Sequence, residues 1–129
     1  MIQDKERAEV GTFPIRLTSD GLADPLLAEL PERFYVQLGH NDRVSELGPD
    51  WRELARSEIC PFQIIRLDGK PVYGTQFHSE MDEERLRERI LVFLKDYVAD
   101  EAAYQKILWG LRPSIEADRL LERFLERYA

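Results

Sequence analysis

The dominant period of the apolar residues in this chain changes near residue 81, and that change limits what it can fold into. Upstream they alternate with polar residues, the period of a strand with one buried face. Downstream they return at the spacing of a helix stripe. Phe13, Ile15 and Leu17 share a face of 11–18, and Phe34, Val36 and Leu38 share a face of 33–38. Segments 61–67 and 71–77 flank Asp68-Gly69, residues that tolerate positive φ, and read as a hairpin. Pro14 lacks a ladder donor, which suggests an edge or a bulge, and Pro71 stands at a strand start. Beyond the change, 82–98 reads as a helix striped by Leu86, Ile90, Phe93, Leu94 and Tyr97, with Asp82, Glu83 and Glu84 in its first turn. A second helix over 101–109 is punctuated by Gly110 and Pro113. A third over 114–128 carries Leu120, Leu121, Phe124, Leu125 and Tyr128.

The links between these elements are shorter. Ser19-Asp20-Gly21 and Gly48-Pro49-Asp50 are turn signals, and the alternation stops at Gly39-His40-Asn41-Asp42. Residues 24–30 suit one or two helical turns with Pro25 in the first, and Trp51, Leu54 and Ala55 have the spacing of a short helical piece. The chain of 129 residues fits one α/β domain with a mixed or mainly antiparallel sheet of about four strands and C-terminal helices. Its formal charge of −7 disfavours nucleic acid and anionic lipid as partners. With one cysteine, Cys60, there is no internal disulfide framework, and no apolar run suits a bilayer. A cytoplasmic protein is the default expectation, with no cofactor and no resident metal.

Both histidines precede a carboxylate by two residues: His40-Asn41-Asp42 and His78-Ser79-Glu80. Residues i and i+2 of an extended backbone point the same way, so each pair can present imidazole and carboxylate together. A carboxylate that accepts from one ring nitrogen fixes the tautomer and leaves the other nitrogen able to take a proton. If Glu80 sits past the strand end, a turn sets this geometry instead. The same four groups form a plausible metal-ligand set, though nothing in the sequence makes them converge. Cys60, in Glu58-Ile59-Cys60-Pro61-Phe62, has no flanking glycine and reads as a small buried hydrophobe.

Taken in order, a longer set of residues resembles the C-terminal half of a class I glutamine amidotransferase domain, of the kind found in the glutaminase part of GMP synthase. The resemblance runs from Glu9-Val10-Gly11 through Leu17-Thr18, Asp24-Pro25-Leu26 and Phe34-Tyr35-Val36 into Gly39-His40-Asn41-Asp42-Arg43-Val44. It continues through Leu54-Ala55-Arg56-Ser57 and Pro61-Phe62-Gln63 to Gly74-Thr75-Gln76-Phe77-His78-Ser79-Glu80. It implies a flavodoxin-like fold, present as its C-terminal half over 1–100, with 101–129 as a helical extension packed on it. It also implies hydrolysis of the glutamine side-chain amide to ammonia by a Cys-His-Glu triad. His78 matches the catalytic histidine and Glu80 the catalytic glutamate. His40 and Asp42 match a loop near the active site and stand as substrate-binding or supporting candidates. Ser79 takes a position where the family usually has proline, which removes a fixed φ between the two catalytic residues.

The family's nucleophile, on a glycine-flanked elbow, has no counterpart in this sequence. The expectation is therefore an acid/base pair without its thiol, inactive alone, with glutamine as substrate only when the missing N-terminal half complements it. An uncovered sheet edge would favour that half or a homo-oligomer as partner. The alternative is a non-catalytic interaction or oligomerisation module derived from the family.

Overall fold

The structure, a computed structural model, describes residues 2–3, 9–40, 42–92 and 101–128. Two short strands, β1 (Ile2–Gln3) and β4 (Asp42–Arg43), pair with each other. The main sheet holds β2 (Glu9–Leu17), β3 (Arg33–His40), β5 (Trp51–Arg56), β6 (Ile64–Leu67) and β7 (Tyr73–Thr75). It is antiparallel throughout, in the order β3-β2-β5-β6-β7.

The expected strand faces are observed. Phe13 lies opposite Val36 and Ile15 opposite Phe34, and Ile15, Leu17, Phe34, Val36 and Leu38 enter the core. Pro14 lies in a strand with neighbours on both sides, but β2 meets β5 only at Arg16 and Leu17, so Pro14 is paired on one side alone. Gly69 adopts φ +73° in the hairpin turn between β6 and β7.

Three local expectations need correction. Trp51–Arg56 is a strand, not a helical piece, which makes the main sheet five strands rather than four. A β-bulge between Glu53 and Ala55 turns both Leu54 and Ala55 inward, and adjacent buried positions imitate helical spacing. Ser19–Leu22 is one helical turn (α1) rather than a simple turn, capped by Thr18, whose hydroxyl accepts from the Gly21 N–H at 3.1 Å. Residues 24–30 form successive tight turns, with Leu27 bonded to the Asp24 carbonyl and Leu30 to that of Leu27, rather than an α-helix.

The α1 turn is docked on β5. Thr18 donates from its backbone to the Leu54 carbonyl at 2.8 Å and from its hydroxyl to the Glu53 carbonyl at 2.6 Å. A Cβ on Gly21 would land on the Leu54 carbonyl oxygen. Gly21→Ala must push α1 off the strand, so chemical denaturation is expected to show a loss of about 2 kcal/mol. An unchanged unfolding midpoint would refute this close approach.

Helices follow the sheet: α2 (Glu83–Val92), α3 (Glu101–Gly110), α4 (Ile115–Asp118) and α5 (Leu120–Tyr128). The expected helix over 82–98 is seen to Val92, and its remainder lies outside the described residues. The expected helix over 114–128 is split at Arg119 into α4 and α5. Ala117 and Leu120 join the sheet residues in the main core, while Leu86, Ile90, Met81 and Leu111 form a second cluster. No helix among the described residues is long and apolar enough to cross a membrane.

Candidate active site

The segment after β7 crosses from one end of the sheet to the other. Gln76 still pairs with the β6 side, its N–H donating to the Gln63 carbonyl at 2.9 Å. Two residues later the His78 N–H donates to the Gln37 carbonyl of β3 at 3.0 Å. The curl of the sheet thus brings its two outer strands together, and the stitch falls at His78. Phe77, buried between these two bonds, anchors the crossing in the core.

At the stitch the chain turns sharply, with the Met81 N–H returning to the His78 carbonyl at 3.2 Å. That four-residue turn, not an extended pleat, brings the two side chains together. His78 Nδ1 lies 2.8 Å from Glu80 Oε1. The imidazole is one-third exposed and the carboxylate two-thirds exposed, so the pair is open to solvent. Burial acts to raise the Glu80 pKa, but bonds from its own backbone N–H and from His78 outweigh it, and the group lies below its usual range. The contribution of this carboxylate to stability is present above the ordinary glutamate range and lost as pH falls through the lowered value. Exposure keeps that contribution small. Chemically, a carboxylate on Nδ1 leaves Nε2 as the proton acceptor. Past the turn, Asp82 Oδ1 accepts from the Arg85 N–H at 2.8 Å and caps the start of α2.

The other sequence candidates fall elsewhere. His40 closes β3 opposite Glu9, and Asp42 opens β4 opposite Gln3. The side chains of both lie outside the described residues. Among the described residues no three His, Cys, Asp or Glu side chains gather as metal ligands would. Cys60 is completely buried, as expected for a small hydrophobe, its Sγ 3.6 Å from the Pro61 carbonyl and 3.7 Å from Gln76 Nε2.

Sequence reasoning does not single out a buried polar centre that the fold assembles. Asp24 pairs with Arg66 at 2.7 Å, accepts from the Tyr73 hydroxyl at 3.0 Å, and accepts from the Leu26 N–H at 2.9 Å. Burial, then the bonds to Tyr128 and Asp24, push the Tyr73 pKa up, so this hydroxyl stays protonated. The one available signal is Asp24-Pro25-Leu26, where an aspartate before a proline at a turn can bond to the following backbone.

The profile for "Glutamine amidotransferase class-I" matches residues 2–95. The chain belongs to that family. One component of the glutamine-hydrolyzing GMP synthase of Pyrococcus abyssi is 36% identical over 86 residues, 67% of this chain and 44% of that protein. The corresponding protein of Thermococcus kodakarensis is 36% identical over 76 residues, 59% of this chain and 39% of that protein. A solved glutamine amido transferase from Methylobacillus flagellatus superposes with a TM-score of 0.72 at 20% identity, over 99% of this chain and 54% of that one. Its likeness establishes the α/β amidotransferase fold. The chain spans less than half the length of these two GMP synthase components.

Proposed function

We propose that His78 and Glu80 are the proton-handling pair of a glutamine-amide hydrolase. The observation that carries this reading is the 2.8 Å contact of His78 Nδ1 with Glu80, at an exposed turn inside the family match. In the proposed reaction His78 Nε2 takes the proton from a cysteine thiol, and the thiolate attacks the side-chain carbonyl of glutamine. The resulting imidazolium then protonates the leaving ammonia, giving a γ-glutamyl thioester that water hydrolyses. Glu80 holds the ring and stabilises its cationic form.

Cys60 is the sole cysteine and is completely buried, which argues against it as the thiol. The nucleophile and the oxyanion donors are therefore assigned to a glycine-flanked elbow on another segment, and these 129 residues alone are expected to release no ammonia. His40 and Asp42 are retained as supporting residues near the substrate.

Complementation tests the reading. The chain is mixed with the separately produced N-terminal half of the Pyrococcus abyssi protein and supplied with glutamine. Ammonia release above that of either part alone is expected. Assembly of the two parts without release, under conditions where the intact Pyrococcus protein is active, would contradict it.

A further inference from the structure

Gln37 is completely buried in β3, on the face opposite Val36 and Leu38. A buried primary amide left without partners is costly, about 1–3 kcal/mol for each unmet group. Its partners here come from distant parts of the chain. The Thr12 hydroxyl donates to Gln37 Oε1 at 2.8 Å. Gln37 Nε2 donates to the Arg112 carbonyl at 2.8 Å and to Ser114 Oγ at 3.0 Å. The Arg112 N–H returns to Thr12 Oγ1 at 2.9 Å, closing a ring of bonds across β2, β3 and the connection between α3 and α4. The Ser114 hydroxyl in turn donates to Asp118 Oδ1 at 2.8 Å.

The main chain of this same residue carries the stitch to His78. We propose that Gln37 is a positioning residue for the His78–Glu80 pair. Segment 112–114 grips the Gln37 side chain, this fixes an outer strand of the sheet, and the carbonyl of that strand holds the turn that presents the imidazole. The connection between α3 and α4 is thereby coupled to the candidate acid–base pair through β3. Ser114 supports this assignment: it stands at the start of α4, yet its hydroxyl makes no cap to that helix and instead serves Gln37 and Asp118. The proposal rests on the acid–base reading of His78 only for its catalytic meaning, since the mechanical coupling exists whatever the pair does.

Amide hydrogen exchange on the folded chain separates positioning from general support. The informative quantity is the exchange rate of the His78 amide relative to that of Gln76, which lies in the same segment but is bonded to the β6 side. Gln37→Met keeps the volume and removes the amide, and is expected to raise that ratio about tenfold. Ser114→Ala removes one partner, is the milder change should Gln37→Met fail to fold, and is expected to raise the ratio about threefold. Equal acceleration at both amides, or none, in whichever variant folds would overturn the assignment. A failed complementation with a preserved ratio change would count against the hydrolase reading and leave the coupling standing.

Discussion

Replacing His78 with glutamine is expected to lower ammonia release by the complemented amidotransferase about a thousandfold, within the range that a positioned general acid–base group contributes. Glutamine keeps hydrogen-bonding capacity and similar reach but cannot carry the proton from thiol to leaving ammonia. The loss should therefore appear in kcat, with little change in KM. Glu80→Gln should be milder. It removes a charge-assisted bond worth about 1.5–3 kcal/mol, which converts to roughly ten- to a hundredfold in rate. Solvent can partly replace that bond, because the carboxylate is two-thirds exposed. The double variant should be scarcely worse than His78→Gln, because Glu80 acts through the ring. An additive double variant would mean that the two side chains work independently, against the contact between them.

The largest effect on stability is expected at Asp24. Its carboxylate is nearly inaccessible, and it serves Arg66, Tyr73 and the Leu26 N–H together. Asp24→Ala leaves Arg66 in a largely buried position, stacked 5.0 Å from the centre of the Tyr73 ring, without its counter-charge. Breaking a buried pair from one side costs about 3–5 kcal/mol. Arg66 keeps a fifth of its side chain in water, so about 3 kcal/mol is expected from urea unfolding. Replacing both partners with apolar residues (Asp24→Leu with Arg66→Met) should cost less than Asp24→Ala, because no charge is then stranded. A double variant as unstable as the sum of the two single ones would show that the pair contributes little beyond its separate parts. Tyr128 reaches the same centre through Tyr73 at 3.2 Å, so Asp24→Ala should also loosen the end of α5.

Local pattern made the strands β2 and β3 and the start of α2 legible, because one face of each strand and one stripe of the helix are buried. Leu54 and Ala55 misled for a physical reason: a bulge places neighbouring residues on one side, and neighbouring apolar residues carry no strand signal. Ser19-Asp20-Gly21 reads as an ordinary turn because its residue types suit one, and the Leu54 carbonyl that docks the Thr18-capped helical turn belongs to another strand. The pairing of His78 with Glu80 was legible from spacing, and of the two geometries the spacing allows, the turn past the strand end is the one that joins them. Gln37 was invisible. A polar residue in an alternating strand reads as solvent-facing, and its partners at 112–114 lie far along the chain. The stitch between Gln37 and His78 is likewise long-range, and no local periodicity encodes it.

The tautomer of the neutral His78 ring tests the proton-handling role most directly. Long-range proton–nitrogen correlation in the His40→Gln background, which leaves one imidazole in the chain, reports which nitrogen bears hydrogen. The account predicts hydrogen on Nδ1 and a bare Nε2, reverting to the mixture of a free imidazole in Glu80→Gln. Hydrogen on Nε2, or a spectrum indifferent to Glu80→Gln, would contradict it.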